Sequence, residues 1–502
     1  MTIQKGEKKL QRRILFVILS LAVTIGTVFI PIMDASEVQA ASEYSNLEKS
    51  INGIMSDSRM KAVNSSVTVR KASTGEIIYQ SDADKKITPA STLKLLTSAA
   101  ALDTLGEEYR FTTEVLTDGT VSKGVLNGNL YVRGQGDPTL LKADLDQFSA
   151  QLKKQGITKI TGNLIGDDYW FDNVRLSPSI DKSDETYYYA AQITGLTLSP
   201  NNDYDAGTVI VEAAPTKKGY KAKVKLTPET GILKVVNRTN TVPKGSKNTL
   251  SIKRQIGTNN IIISGNVPVG SSGKKEWVTV SNPTAYTLDV FKKSLASKGI
   301  KFAPSSVVRR GLSPADGQVL AAKKSMPLKD LMKPFMKLSN NTHAEILAKT
   351  MGRHTYGEGS WNAGLRVMRE FADSIGLDSS AWRFEDASGM SHSNKVTSAQ
   401  MTELLFLVRS APWYASFIQG LPVAGANERF VGGTLRNRLT SPLVQGKVIA
   451  KTGSLNHVNS LAGYAETKDG ETLIFSILTQ DQKSSTISLI DKIATVIATS
   501  AH

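Results

Sequence analysis

The 502-residue sequence contains no cysteine and only five histidines. The absence of cysteine excludes disulfide bonds, thiolate nucleophiles and cysteine-ligated metal sites. The histidines nowhere form the His-Glu-x-x-His pattern that binds zinc in metallopeptidases, so that class of enzyme is poorly supported. We therefore predict no cofactor, and chemistry that relies on hydroxyl, amine, amide and carboxylate groups.

Long apolar runs are equally scarce, because the chain has one, from Ile14 to Ile30. Basic residues precede this run, Pro31 ends it, and Val38-Gln39-Ala40 offers small residues for cleavage. These features predict a signal peptide over residues 1–40 and an exported, extracytoplasmic protein at the cell wall or the outer face of the cytoplasmic membrane. The apolar run is at the short edge of what spans a bilayer, so an uncleaved anchor is the alternative.

Acidic residues are nearly missing from one region of the chain. Residues 214–280 contain eleven lysines and two arginines against two glutamates, in a chain with a net charge of +16. An exported basic region suggests an anionic neighbour such as a wall polymer or the membrane surface, and it makes nucleic acid the poorest candidate. The alternative is that these lysines are simply solvated and keep a loop-rich segment soluble.

Both ends of the chain combine a helix with strands. An apolar helical pattern at residues 47–55 precedes strand-like runs at 67–70 and 76–79. Near the C-terminus, strand-like runs flank the hairpin signal Lys468-Asp469-Gly470, and isoleucines at helical spacing follow. We therefore expect the two ends to build one mixed α/β domain, with the middle of the chain inserted into it.

The middle of the chain has a different pattern. Short β-rich runs alternate with turn residues, and helices are predicted at about Asp144 to Gln155 and Leu288 to Lys298. After Pro327 the pattern is helical again. The predicted organisation is residues 41–110 and 321–502 for the discontinuous outer domain, 111–205 and 281–320 for inserted subdomain II, and 206–280 for the basic, β-rich subdomain III.

Ser91 precedes a helical run, Leu95 to Leu105, that has a proline before it and a glycine after it. Free N–H groups and the helix dipole stabilise negative charge that develops at such a position. Lys94 lies on the same face, and an amine in a partly desolvated pocket can accept the serine proton. The same Ser-x-x-Lys spacing also starts at Ser271 and Ser272, so the pattern alone is weak.

Two further motifs follow in order. Ser339-Asn340-Asn341 precedes a helical run, and Lys451-Thr452-Gly453-Ser454 follows the apolar stretch Val448-Ile449-Ala450. A strand that carries a cation, hydroxyl groups and a glycine beside a helix N-terminus can bind a carboxylate. It can also let the backbone of a substrate lie along its edge.

Ser-x-x-Lys, Ser-x-Asn and Lys-Thr-Gly in this order resemble the signature of penicillin-binding proteins and serine β-lactamases. The 248 positions between Ser91 and Ser339 are similar to the long insert of class C low-molecular-mass penicillin-binding proteins, which are D-alanyl-D-alanine carboxypeptidases and endopeptidases. The resemblance covers essentially the whole mature chain. Other stretches that resemble this branch are Arg133-Gly134-Gln135-Gly136-Asp137-Pro138, Leu198-Ser199-Pro200-Asn201-Asn202, Asp386-Ala387-Ser388-Gly389 and Gly433-Thr434-Leu435-Arg436-Asn437-Arg438.

This resemblance implies an α/β (α+β) penicillin-binding/β-lactamase-like transpeptidase domain. Its antiparallel sheet is flanked by helices, and a large mostly-β insertion forms two subdomains. The implied partners are peptidoglycan peptides that end in D-Ala-D-Ala, and β-lactam antibiotics.

The resemblance also implies the role of each motif residue. Ser91 attacks the carbonyl between the two D-alanines, with Lys94 as general base. Ser339 passes a proton to the leaving D-alanine through Lys451 or Lys94, and Asn341 holds the substrate amide and positions Lys94.

In the same resemblance, the third motif receives the end of the substrate. Lys451 and the hydroxyl groups of Thr452 and Ser454 bind the terminal carboxylate, and Gly453 lies between them. The backbone N–H groups of Ser91 and Ser454 form the oxyanion hole.

Two positions bear on specificity. The family places a carboxylate of the insert at the rim of the site, against the free amine of the diamino acid, and Asp167 aligns best with it, with Asp168 as the alternative. At the second position the family usually carries arginine, but this chain has His392. An uncharged imidazole would weaken contact with a substrate carboxylate or suit an amidated residue.

Two other functions stay open at this point. A serine β-lactamase or esterase on the same fold would deacylate quickly. A non-catalytic wall-binding relative would keep the fold without the reaction, although every catalytic position is filled.

Overall fold

The structure is a computed structural model that describes residues 44–501. The predicted signal peptide, residues 1–40, lies outside the described residues. Within residues 44–501, the structure has no helix that is both long enough and apolar enough to cross a membrane.

Strands occur in two parts of the described chain, from β1 to β17 and from β18 to β20, and helices lie between these parts. The strands of residues 44–501 are β1 (Asn64–Lys71), β2 (Ile77–Ser81), β3 (Thr112–Thr117), β4 (Thr120–Ser122), β5 (Val125–Asn127), β6 (Leu130–Gly134), β7 (Lys159–Ile160), β8 (Leu164–Asp167), β9 (Thr208–Ala214), β10 (Lys223–Thr227), β11 (Lys234–Val242), β12 (Ser251–Arg254), β13 (Asn260–Pro268), β14 (Lys274–Thr279), β15 (Lys301–Phe302), β16 (Val308–Arg310), β17 (Gln318–Lys324), β18 (Val448–Leu455), β19 (Val458–Glu466) and β20 (Thr472–Gln480).

Most helices lie outside the middle third of the chain. The α-helices of residues 44–501 are α1 (Ser45–Met55), α2 (Ser58–Lys61), α3 (Lys94–Leu105), α4 (Lys142–Lys154), α5 (Pro283–Ser297), α6 (Leu328–Met332), α7 (Asn341–Tyr356), α8 (Trp361–Ser374), α9 (Ser398–Leu407), α10 (Tyr414–Gly420), α11 (Arg429–Gly432) and α12 (Ile487–Thr499). A 3₁₀ turn at Ala90–Leu93 precedes α3, and a π-helical turn at Lys333–Lys337 precedes α7.

Strands from both ends of the chain form one five-stranded antiparallel sheet, in the order β18-β19-β20-β1-β2. Nearly every residue of β19 and β20 is buried, which means that both faces of the sheet are covered. Helix α9 contacts β1 and β20, and α12 contacts β19. The prediction that the two ends build one mixed α/β domain is confirmed.

Helix α3 is buried nearly all round, because it lies between the sheet and the helices that follow the insert. Its side chains share one apolar cluster with α7, α8 and α9. Such a helix needs small and apolar residues on every face, which the run of leucines and alanines supplies. The cluster holds the first turn of α3, and thus Ser91, against the sheet.

The middle of the chain has its own apolar cluster, which includes residues from Val115 to Ala321. Strands of this region form two sheets, in the orders β16-β8-β6-β3-β17 and β15-β7-β5-β4. Helices α4 and α5 pack against each other through an edge-to-face contact between Phe148 and Phe291. Sheets β10-β9-β14 and β11-β13-β12 lie wholly between residues 208 and 279. We therefore propose the predicted division into an outer domain and subdomains II and III, with the return boundary after Lys324, where β17 ends.

One predicted helix begins earlier than the apolar pattern indicated. The predicted helix from about Leu288 to Lys298 overlaps α5, which starts at Pro283 and ends at Ser297. The Asn282 side chain accepts a hydrogen bond from the Ala285 N–H, and Pro283 occupies the first helical position. This asparagine–proline pair is a helix-start signal that apolar periodicity does not contain.

Candidate active site

Ser91 lies in the 3₁₀ turn that leads into α3, and its hydroxyl oxygen is 2.8 Å from the Nζ of Lys94. The residue before it, Ala90, has a φ of 49°, which is uncommon for a residue with a Cβ. Backbone strain of this kind costs about 1–3 kcal/mol and persists where the surroundings enforce it. The structure therefore holds the serine on a sharp, strained turn.

Lys94 is fully buried beneath Ser91. Besides its contact with Ser91, its Nζ donates to the Asn341 side-chain oxygen at 2.6 Å and to the Ser388 carbonyl at 2.5 Å. Burial lowers the pKa of Lys94 to about 7, and the nearby carboxylates of Asp386 and Glu345 limit the fall. The amine is therefore able to lose its proton near neutral pH.

The second motif brings Ser339 to the same place. Ser339 follows the π-helical turn and has a φ of 58°. Its hydroxyl accepts a hydrogen bond of 2.7 Å from the Nζ of Lys451. Asn341, on the first turn of α7, donates from its side chain to the Tyr189 carbonyl of the insert at 3.0 Å.

The third motif lies on β18, which is the edge strand of the sheet. Lys451 is fully buried, and its pKa is lowered by burial and by the adjacent Lys94. The strand can pass this close to Ser91 only because residue 453 is glycine. A Cβ on Gly453 would lie 2.1 Å from the Ser460 hydroxyl and 3.0 Å from the Ser91 nitrogen.

The hydroxyl groups of β18 point into a network that sequence reasoning missed. Thr452 donates to the Thr434 hydroxyl at 2.7 Å, and the Ser454 hydroxyl lies 3.2 Å from the side-chain amide of Asn459. Thr434 belongs to the stretch Gly433 to Arg438, which the resemblance singled out without giving it a role. The resemblance of this stretch to the family was the signal that could have marked Thr434 as a site residue.

All three motifs open into one cleft of about 990 Å³. Ser91, Ser339, Asn341, Thr452 and Ser454 line it, whereas Lys94 and Lys451 lie beneath its surface. The structure thus brings together every motif residue that the sequence predicts. Within residues 44–501, no group of three or more histidine, aspartate or glutamate side chains is arranged to hold a metal ion.

Comparison with known proteins identifies the family. The family model of the D-Ala-D-Ala carboxypeptidase 3 (S13) family matches residues 47–499. The chain belongs to this family. The chain is 38% identical over 462 residues to a D-alanyl-D-alanine carboxypeptidase of Actinomadura sp. (strain R39), which covers 91% of this chain and 85% of the relative.

Relatives in Haemophilus influenzae extend the comparison to structure. The chain is 29% identical to the D-alanyl-D-alanine carboxypeptidase DacB of that organism, over 77% of this chain and 79% of the relative. The crystal structure of its penicillin binding protein 4 superimposes with a TM-score of 0.76 at 25% identity, over 89% of this chain and 98% of that one. The predictions of the family, the fold and the enzyme class are confirmed.

One site prediction disagrees with the structure. Asp167, at the end of β8, is buried away from the cleft, where it accepts hydrogen bonds from the backbone and hydroxyl of Ser313. Asp168 is also buried, paired with Arg310 and Arg175. Both carboxylates are therefore paired inside the insert, and neither lines the cleft.

The insert carboxylates that do line the cleft are Asp181 and Asp184. They flank and occupy the 3₁₀ turn Lys182–Thr186, just before the Tyr187-Tyr188-Tyr189 run, and Tyr189 donates to Asp184 at 3.2 Å. An acidic segment followed by three tyrosines was the available signal.

His392 lies at the cleft, where it was expected. Its side chain is exposed, and its carbonyl accepts a hydrogen bond of 3.2 Å from the Thr88 hydroxyl. The position therefore agrees with a contact to the substrate, and the effect of histidine there stays a prediction.

Proposed function

We propose that this member of the S13 family is a serine-type D-Ala-D-Ala carboxypeptidase and DD-endopeptidase that acts through an acyl intermediate on Ser91. The observation that carries the proposal is the set of three contacts around the Lys94 amine. The names of the related carboxypeptidases support the substrate class.

The surroundings of Lys94 fit a neutral amine that acts as a base. A neutral amine has two N–H donors and one lone pair. The oxygens of Asn341 and Ser388 accept from the two donors, which leaves the lone pair for the hydroxyl proton of Ser91. Removal of that proton lets the oxygen attack the carbonyl between the two D-alanines.

Breakdown of the tetrahedral intermediate needs a proton on the leaving amine. We assign this step to Ser339, whose hydroxyl is hydrogen-bonded to the Nζ of Lys451. Ser339 regains a proton through Lys451 or directly from Lys94, which carries the proton taken from Ser91. Water then hydrolyses the acyl-enzyme, whereas a β-lactam forms an adduct that does not leave.

Negative charge is stabilised at two places. The N–H groups of Ser91 and Ser454 form the proposed oxyanion hole, where each donor typically lowers the barrier by about 3 kcal/mol. The terminal carboxylate of the substrate meets the hydroxyl groups of Thr452 and Ser454, with Lys451 beneath them. Gly453 lets β18 lie close to the Ser91 turn, and the substrate backbone lies along the free edge of this strand.

We further propose that Asp184 supplies the rim carboxylate that recognises the free amine of the diamino acid, and that His392 weakens recognition of an adjacent carboxylate. Asp184 replaces Asp167 in this role because it lines the cleft. Turnover of peptides with free and amidated diaminopimelate should shift toward the free form in His392→Arg. Identical preferences in both proteins would contradict the role of His392.

We also propose that the protein is exported and that subdomain III binds an anionic wall polymer. Three loops of this subdomain, at residues 215–222, 243–250 and 269–273, leave the same ends of their strands. They carry no acidic residue, and their exposed lysines are Lys217, Lys218, Lys221, Lys244 and Lys247.

The opposite end of subdomain III contacts the remaining chain, through Arg254 with Glu185 and Thr230 with Asp289. The uncompensated charge is therefore directed away from the protein. Replacing the five loop lysines by serine should reduce binding to wall fragments that carry glycerol-phosphate polymer by at least about tenfold at low salt.

The matched control for this binding test replaces five exposed lysines of subdomain II instead, namely Lys153, Lys154, Lys159, Lys298 and Lys301. Equal losses in both variants, or binding to anionic lipid vesicles but not to the polymer, would contradict the proposal.

The test of the enzymatic proposal is mass spectrometry of the penicillin adduct, combined with product analysis on purified muropeptides. We expect a long-lived adduct on Ser91, release of D-alanine and cleavage of cross-linked peptides. Ser91→Ala should abolish both adduct and product. Rapid loss of the adduct with turnover of penicillin would instead indicate a β-lactamase, and product release by Ser91→Ala would overturn the mechanism.

A further inference from the structure

A buried acid, Glu345, lies one helical turn beyond Asn341. Glu345 is on α7, and three N–H groups donate to its carboxylate: Trp361 Nε1 at 2.7 Å, Ala387 at 3.2 Å and Ser388 at 2.9 Å. All of these partners are donors. The pocket therefore favours an ionised carboxylate, because a protonated oxygen would face another hydrogen. These donors work against burial and the neighbouring Asp386, which raise the pKa of Glu345 to about 7.

The two backbone groups that Glu345 holds belong to the loop that contacts Lys94. The Ser388 carbonyl accepts from the Nζ of Lys94, and the Ser388 N–H donates to Glu345. The Ala387 carbonyl accepts from the Thr97 hydroxyl on α3 at 2.6 Å. Glu345 thus fixes the same peptide units that orient the amine.

The far side of this loop is fixed by a different acid. Asp386 accepts from the N–H groups of Gly389 and Ser391 and from the Asn394 side chain. A Cβ on Gly389 would lie 1.9 Å from the Ala90 carbonyl, so the loop also packs directly on the nucleophile turn. The position of the Ser388 carbonyl therefore depends on Glu345 and not on Asp386 alone.

The charged groups around Lys94 come from three elements. Asp386 and Glu345 raise the pKa of Lys94 against the effect of burial, and Lys451 on β18 is close enough to interact with Lys94. Glu345 itself is close to Asp386, and Lys349 lies beyond it, with its Nζ 3.7 Å from the centre of the Trp361 ring. Removal of the Glu345 charge therefore leaves one carboxylate to stabilise the ammonium form of Lys94.

We infer that Glu345 is a positioning residue for the general base: it fixes the Ser388 carbonyl that accepts one hydrogen of Lys94, and its negative charge stabilises the ammonium form of Lys94. This inference rests on the proposed role of Lys94. Glu345 is expected to have two effects. Its hydrogen bonds change the maximal rate of acylation, and its charge changes the pH at which that rate rises.

The experiment measures the rate of acylation by a chromogenic cephalosporin between pH 5 and pH 9. In Glu345→Gln, the rise in rate should move to lower pH by about one unit, because one neighbouring negative charge is gone. The maximal rate should fall about tenfold, because the amide cannot accept from all three donors. Glu345→Asp keeps the charge but is shorter, so its maximal rate should fall while the rise stays near the wild-type pH.

The matched control is Glu358→Gln, an exposed acid on the loop after the same helix, which should change neither quantity. If Glu345→Gln does not fold, Trp361→Phe is measured instead. Loss of the indole donor destabilises the ionised carboxylate, so the rise should again move to lower pH.

A rise at the wild-type pH in a folded Glu345→Gln or Trp361→Phe protein would overturn the inference and leave a purely structural role. Failure of the wild-type protein to form a Ser91 adduct would instead overturn the proposed function. The two failures are therefore distinguishable.

Discussion

Two lysine side chains, Lys94 and Lys451, are fully enclosed in the active site. Within residues 44–501, neither of them forms an ion pair with an acid; each is held by hydroxyl and carbonyl oxygens instead. Burial without an ion-pair partner disfavours the ammonium form, which lowers the pKa of each amine. Such a pair suits proton transfer, because one amine can accept a proton while the other donates.

The pH dependence of acylation should follow Lys94. Its pKa of about 7 lies below the ordinary value, so the neutral base is present above about pH 7 and is lost as the pH falls. The rate of penicillin acylation should therefore decrease about tenfold for each pH unit below that point. Lys94→Arg, which stays charged, should react about 1000-fold more slowly at pH 8. Equal rates at pH 5 and pH 8 would contradict this assignment.

Gly453 should be intolerant of even one added carbon. Gly453→Ala places a Cβ against Ser460, Pro89 and the Ser91 nitrogen, so β18 must move away from the nucleophile. We expect acylation to slow about 100-fold, since displacements of this kind disturb the reacting geometry. Gly53→Ala, in open space on α1, is the control and should leave the rate unchanged. Stopped-flow acylation of both variants checks the prediction.

At the scale of elements, the sequence contained the motifs but not the conformations that make them act. The helix start at Ser91 was predictable from a proline, an apolar run and a glycine. The positive φ angles of Ala90 and Ser339 were not, because neither residue favours that conformation. Tertiary packing imposes both turns, and no local pattern records it.

The edge strand β18 depends on a neighbouring turn for its polar chemistry. The Thr434 hydroxyl accepts a hydrogen bond from the Thr452 hydroxyl. When a carboxylate binds, Thr452 can donate to the carboxylate instead, and the Thr434 hydroxyl can then donate to Thr452. Thr434→Val should raise KM for a D-Ala-D-Ala peptide about tenfold, the effect of one lost hydrogen bond, with little change in kcat. Thr434→Ser should restore the wild-type KM. Steady-state kinetics of both variants decide the matter, and a fall in kcat alone would argue against this role.

At the scale of the whole molecule, a polar seam joins the insert to the catalytic part. Asp203 pairs with Arg429, the Asn340 side chain donates to Asp205 at 3.0 Å, and His343 lies 2.8 Å from the Tyr204 carbonyl. Asn340 is also the residue between Ser339 and Asn341. The insert thus contacts the second motif directly.

This seam should make stability depend on pH. Burial raises the pKa of Asp205 to about 7, above its value in an unfolded chain. The folded state therefore binds an extra proton between about pH 4 and pH 7, and the free energy of unfolding should decrease as the pH rises through this window. Asp205→Asn should remove that decrease, so its urea midpoint should exceed that of the wild type at pH 8 more than at pH 5. Asp203→Asn, which removes a neighbouring charge that helps to raise the pKa of Asp205, should weaken the decrease. A constant difference for Asp205→Asn would contradict the prediction.

The shared sheet of the two chain ends was predictable, whereas the contacts between the insert and the rest of the chain were not. Periodicity at both ends indicated one sheet, and turn-rich texture indicated the insert. Asp167 was misplaced because alignment of a short motif does not show whether a carboxylate points into the insert or into the cleft. The Asn340 to Asp205 contact joins residues more than a hundred positions apart, and nothing local to either residue indicates it.

The pairing of β1 with β20 has a consequence for how the protein is made. Lys71 pairs with Leu473, so the first strand leaves the ribosome long before its partner exists. Until then, β1 and β2 have only each other, and the edge of β1 stays open to wrong partners. A chain that stops just after Leu455 would contain all three motifs, yet it would lack β19 and β20 and so have no sheet on which to assemble them.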